Sequence, residues 1–228
     1  MIRIRPHKIL DLYKTENYHE RMVNILVPSK YGFPSAIETL LLIALSKRIK
    51  PKIGLEIGTY LGIQTLNLIS NFPDNAILYT VDLDNRSVDE IKQLSNDKKV
   101  TLERIECLHK IAYEKSLYKN RIIQLLCDST KFDFSSLDKK FNFIYIDGGH
   151  DYNTISIDSY NAFNLIDNSS LSCIVWHDYG NPNHPNVKEF LDKLSVEKDI
   201  FYVEGTYLCV YFNKLDMEEI KYLKKEIE

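Results

Sequence analysis

Short apolar runs, each closed by glycine or acidic residues, alternate along this chain with stretches whose apolar positions recur every three or four residues. Runs of that kind suit strands buried on both faces, and the helical spacing between them suits helices packed on such a sheet. Ile53, Leu55 and Ile57 open the series as a buried strand, followed by a glycine turn and a helix on which Leu61, Leu66 and Ile69 can face the sheet. The pattern predicts further strands at residues 76–84, 122–130, 141–152 and 171–180. Residues 200–212 read as two strands joined near Glu204 and Gly205, an antiparallel hairpin. Helices are predicted from Ser35 to Arg48, with Ser35 and Glu38 forming a capping box, from Ser87 to Leu94, from Asn183 to Leu194 behind Pro185, and as an amphipathic tail from Leu215 to Glu228. Val100 to Tyr118 begins like a strand and turns helical and basic, so it takes no assignment. Residues 1–34, punctuated by Pro28, Gly32 and Pro34, read as a partly helical arm or cap ahead of one domain at 35–228.

Strands separated by helices spell an open, mostly parallel α/β sheet, and right-handed crossovers put the polar residues after each strand along one edge. Those residues are chemically rich: Asp82 and Asp84, Asp128, Asp147 with His150, and His177 with Asp178. A lone terminal Asp is ordinary turn or cap chemistry, but four such sites beside a glycine turn are harder to attribute to caps. That turn carries Glu56, Gly58 and Gly62 in the pattern E-x-G-x-x-x-G. A dinucleotide-binding turn would read G-x-G-x-x-G, and Tyr60 stands where its second glycine belongs, so the spacing favours a nucleotide-like ligand without a pyrophosphate.

Composition narrows the class. A formal charge of −3 over 228 residues offers no basic excess for a nucleic-acid or anionic-membrane surface. The cysteines Cys107, Cys127, Cys173 and Cys209 form no C-x-x-C pair, and three lie in apolar runs, which fits a reducing compartment. The N-terminus lacks the apolar segment of a signal peptide, and Leu40 to Leu45 is too short to cross a bilayer, so a cytoplasmic protein is expected.

The order of these motifs resembles the class I S-adenosylmethionine (SAM) dependent methyltransferases. Within them DGGHDY at 147–152, Asp158 and WHDY at 176–179 are similar to methyltransferase family 24, a group similar in turn to macrolide-sugar O-methyltransferases and cephalosporin hydroxylase-like proteins. One departure stands out, since Asp167-Asn168-Ser169-Ser170 replaces the family's Pro-Gly-Gly turn. The resemblance implies a Rossmann-like, mostly parallel seven-stranded sheet with an antiparallel C-terminal hairpin and helices on both faces.

It also implies roles. Glu56, Gly58, Thr59, Tyr60 and Gly62 would hold the methionine and ribose side of SAM, Asp82 the ribose hydroxyls, and Asp128 with Ser129 the adenine. Asp147, His177 and Asp178 would bind a divalent metal. Because imidazole is a poorer Mg2+ ligand than carboxylate, that site is expected to be weak, to prefer Mn2+, or to stand vacant. In the alternative without metal, Asp147 contacts SAM or substrate and Asp178 caps a loop. His150, beside Asp147, would take the proton from an acceptor hydroxyl, with His177 and His184 as second candidates. The expected activity is methyl transfer to an oxygen of a small hydroxylated metabolite or sugar. A non-catalytic SAM-fold module and a hydroxylase-like enzyme are the alternatives, and oligomeric state stays open.

Overall fold

The computed structural model describes residues 1–13, 19, 22–26, 34–83 and 111–225. The helix expected at Ser87 to Leu94, most of the unassigned segment from Val100, and the residues Pro28, Gly32, Asp84 and Cys107 lie outside them. The elements run β1 (Ile2–Ile4), α1 (Pro6–Leu12), α2 (Ala36–Ile49), β2 (Ile53–Ile57), α3 (Ile63–Ile69), β3 (Ile77–Asp82), β4 (Ile122–Leu126), β5 (Phe143–Ile146), α4 (Tyr152–Leu165), β6 (Ser172–Trp176), α5 (Pro185–Leu194), β7 (Ile200–Val203), β8 (Cys209–Asn213) and α6 (Met217–Lys224).

These strands form one sheet in the order β1-β7-β8-β6-β5-β2-β3-β4. β2 to β6 pair in parallel, and β8 runs antiparallel between β6 and β7. The sheet is therefore the expected Rossmann-like one with its C-terminal hairpin, but it has eight strands rather than seven. The extra strand is β1, which pairs Ile2 to Phe201 and Ile4 to Val203. Three residues, Ile2-Arg3-Ile4, are too short a run to signal a strand, and the pairing rests on a distant hairpin edge.

Alternation along β5 assigns the two faces. Phe143 and Tyr145 join Leu41, Leu42 and Leu45 of α2 and Leu68 and Ile69 of α3 in one core. Ile144 and Ile146 join Ile155 and Ala162 of α4 and Val187 and Leu191 of α5 in the other. The predicted capping box is present, with the Ser35 hydroxyl accepting the Glu38 N–H and Glu38 Oε2 accepting the Ser35 N–H at 2.6 Å. In α3 the buried apolar residues are Leu68 and Ile69; Leu66 is half-buried against the same core, and Leu61, also half-buried, precedes the helix, which starts only at Ile63. Strand ends also fall earlier than the apolar runs: β4 stops at Leu126, where the chain turns toward Asp128. Among the described residues, no helix is long and apolar enough to cross a membrane.

Candidate active site

Register fixes the site before any side chain does. Ile57 is paired with Val81 on one side and Ile146 on the other, and Ile146 with Trp176. The ladder continues one step past the strands: Gly58 N–H donates to the Val81 carbonyl at 2.9 Å, Asp147 N–H to Ile57 at 2.8 Å, and His177 N–H to Ile146 at 3.0 Å. Gly58, Asp82, Asp147 and His177 therefore lie along one row at the carboxyl edge, where open α/β sheets bind ligands.

The glycine turn is closed by protein on two sides. A β-carbon on Gly62 would meet the Tyr113 ring at 2.6 Å. One on Gly58 would overlap the backbone of Asp147, and both glycines have positive φ. Tyr60 also has positive φ, +46°, and its N–H donates to Asp82 Oδ2 at 2.7 Å. Asp82 Oδ1 accepts the Leu83 N–H at 2.7 Å. Glu56 lies wholly inside, beneath the turn. Its Oε2 accepts the hydroxyls of Thr65 (2.5 Å) and Thr80 (2.6 Å), and Thr80 is 2.6 Å from the Thr59 hydroxyl. Oε1 has no hydrogen-bond partner among the described residues. Burial pushes the Glu56 carboxyl up to about 8, against the two threonine hydrogen bonds.

Asp128 spends its Oδ1 locally, accepting the N–H and hydroxyl of Thr130 at 2.9 and 2.6 Å. Lys131 lies 3.3 Å from Oδ2. Ser129 stays half-buried, and neither oxygen of the fully buried Asp158 carboxyl has a well-formed hydrogen bond among the described residues. Burial pushes Asp158 up to about 7; the Ser129 hydroxyl opposes this, and the charges of Asp128 and Asp151 add to it.

The reactive residues gather between β5 and β6. Trp176, buried with its indole N–H donating to Ser159 at 2.9 Å, pins the end of β6 to α4. His177 Nδ1 then sits 3.3 Å from Asp147 Oδ1 and 3.1 Å from Asp178 Oδ2, with no well-aligned hydrogen bond to either. Its Nε2 is 3.6 Å from Glu38 Oε2. Burial lowers the His177 pKa, but Asp147, Asp178 and Glu38 together raise it well above its usual value. Glu38 is pushed up by burial, yet His177 and the N–H groups of Tyr207 and Ser35 bring it down to about 2. Asp178 takes a left-handed backbone, φ +64°, and its Oδ2 lies 2.8 Å from His150 Nε2. The His150 and His184 rings stack with centroids 3.7 Å apart.

Asp147, His150, His177 and Asp178 are thus brought together as the sequence suggests, and Asp82 joins the glycine turn. Asp128 and Ser129 follow β4 on the same edge, with β2 and β3 between that strand and β5. Glu38, Thr65 and Thr80 had escaped notice: Glu38 read only as a cap, and the threonines follow no motif. A polar residue on the inward side of an apolar strand, as Thr80 is, was the available signal.

Residues 55–179 match methyltransferase family 24, described as a methyltransferase domain. No curated protein matches the chain. Among solved structures, the SAH-bound methyltransferase PaMTH1 of Podospora anserina superposes with a TM-score of 0.56 at 14% identity, covering 92% of this chain and 88% of that one. The O-methyltransferase TomG of Streptomyces achromogenes, involved in tomaymycin synthesis and solved in complex with SAM, superposes at 0.50 and 16% identity, with 91% of each chain covered. These likenesses show the shared fold. The family match spans more than half of the chain, from β2 through the glycine turn and DGGHDY to WHDY. The chain belongs to methyltransferase family 24 and is a class I SAM-dependent methyltransferase.

Proposed function

We propose that the enzyme methylates a hydroxyl oxygen of a small hydroxylated molecule such as a sugar, with His150 as the base. The observation that carries this reading is the 2.8 Å contact between His150 Nε2 and Asp178 Oδ2 beside Asp147. The contact with Asp178 orients the His150 imidazole beside Asp147, where the neutral ring can take the acceptor's proton. SAM supplies an electrophilic methyl on a sulfonium. As the hydroxyl oxygen bonds to that carbon and the carbon–sulfur bond breaks, the proton passes to His150 and the sulfur leaves as a neutral thioether.

In this reading residues 35–228 act as the SAM-binding unit. Asp82, at the end of β3 beside the glycine turn, receives the ribose hydroxyls, and Asp128 and Ser129 face the adenine. Gly58, Thr59, Tyr60 and Gly62 shape the turn along the methionine side, and Glu56 acts through that turn by anchoring Thr65 and Thr80. The donors Asp147, His177 and Asp178 fit a divalent cation, since their ligand atoms lie within 4.8 Å of one another and His177 Nδ1 has no aligned hydrogen bond. Two carboxylates with one imidazole suit Mn2+ better than Mg2+, and such an ion would polarise the acceptor hydroxyl.

The test is His150→Gln, assayed with SAM and a panel of hydroxylated acceptors. Turnover should fall at least ~100-fold, the usual scale of a lost general base, while affinity for S-adenosylhomocysteine (SAH) changes little. Unchanged turnover would remove His150 from the role.

A further inference from the structure

Next to the carboxylate pair lies a second group of donors. His150, Asp178 and His184 each present a ligand atom within 4.8 Å of the others. The two imidazoles stack at 3.7 Å with their planes 22° apart, and His150 Nε2 is 2.8 Å from Asp178 Oδ2. We propose that His150, His184 and Asp178 form a second cation site, distinct in donor chemistry from Asp147, His177 and Asp178, that takes a late first-row divalent ion such as Zn2+.

Donor type and local geometry carry the argument. Two imidazoles and one carboxylate suit Zn2+ and its neighbours, whereas the adjoining carboxylate-rich group suits Mn2+. The three residues are held by short-range structure. Asp178 sits in the left-handed region, a costly backbone for a residue other than glycine that persists where its surroundings enforce it. Its Oδ1 accepts the Asn181 side-chain amide, which leaves Oδ2 toward the histidines. His184 is fixed at the start of α5, its N–H donating to the Asn181 carbonyl at 3.0 Å and its carbonyl accepting the Val187 N–H at 3.2 Å. One turn, 178–184, thus delivers two of the three ligands, and the DGGHDY loop delivers the third. A tetrahedral ion bonded at ~2.0 Å spaces its donors ~3.3 Å apart, so donor atoms that lie within 4.8 Å of one another need close by no more than ~1.5 Å to surround the ion. His150 keeps 17% of its side chain exposed, which gives the ion a route from solvent and an open fourth position.

The site has a functional consequence that rests on the reading of His150 as the base. Zn2+ held by both histidines makes the His150 ring unavailable for its part in proton transfer, so Zn2+ inhibits methyl transfer.

The experiment uses the full chain stripped of metal, with calorimetric Zn2+ titration of the wild type and of His184→Phe, which keeps an aromatic stack on His150. The wild type should bind a Zn2+ ion that His184→Phe loses or holds at least tenfold more weakly. A second variant, His184→Cys, restores a ligand. Titrated with Co2+, it should give the near-ultraviolet sulfur-to-cobalt band that marks a thiolate bound to the ion. Equal Zn2+ stoichiometry and affinity in the wild type and His184→Phe would overturn the proposal, as would absence of the cobalt band in His184→Cys. If the His184-dependent ion binds but no acceptor is ever methylated, the reading of His150 fails and the site stands. If acceptors are methylated but no His184-dependent ion binds, the site fails and the reading stands.

Discussion

A β-carbon on Gly58 would lie 1.9 Å from the carbonyl oxygen of Asp147. The turn after β2 and the end of β5 are thereby pressed together backbone to backbone, at the point where Asp147 enters the site. The glycine is required by its protein neighbour, and its φ of +102° adds a second restriction.

Gly58→Ala should consequently behave as a folding variant. Neither partner is a flexible side chain that can move aside, so a loss above ~3 kcal/mol is expected, in the range reserved for strain and overpacking. Urea denaturation followed by circular dichroism measures it. Gly62→Ala, which meets the ring of Tyr113 rather than backbone, should cost less. A Gly58 variant that melts like the wild type would mean that this turn can open.

Asp158 gives a pH dependence of defined sign. Its folded pKa of about 7 lies above the ordinary 3.8, so the native state holds the proton more tightly than the unfolded chain. The stability it contributes is present below about pH 4 and is lost as pH rises through about 7. Asp158→Asn, neutral throughout, should match the wild type near pH 4 and exceed it by about 1–3 kcal/mol at pH 8, the usual scale for an uncompensated buried polar group. Equal differences at the two pH values would show that the carboxyl has a partner in the folded chain.

In the proposed Asp147, His177 and Asp178 site, cation binding would be a contest with a proton. The His177 pKa is lowered by burial but raised further by Asp147, Asp178 and Glu38, which favours the protonated ring. Mn2+ must displace that proton, and its affinity should rise by up to about tenfold per pH unit, with about one proton released per ion. Calorimetry in two buffers of different ionisation enthalpy counts the proton. An affinity independent of pH would place the ion away from His177.

Much of this arrangement was legible in the sequence because it rests on local rules. Apolar runs ending in Asp82, Asp147 and His177-Asp178 gave the strands and the edge at which they end, and Ser35 with Glu38 gave the start of α2. Elements that depend on distant pairing stayed hidden. The strand Ile2–Ile4 exists through Phe201 and Val203, and its short run carries no signal of them. The second role of Glu38 depends on His177 and Tyr207, far along the chain. The stack of His184 on His150 joins two loops that the sequence keeps apart. For Gly58 and Gly62 the sequence suggests positive φ and the close approach of a ligand, but not their protein contacts, because Asp147 and Tyr113 are neighbours only in the folded chain.

The most direct measurement is calorimetric titration of the purified protein with SAH, comparing the wild type with Asp82→Asn, which keeps a carbonyl oxygen near the Tyr60 N–H while removing the charge proposed to face the ribose. The account predicts one SAH bound per wild-type chain and binding at least tenfold weaker in the variant. A wild-type chain that takes up neither SAH nor SAM at millimolar concentration would contradict it.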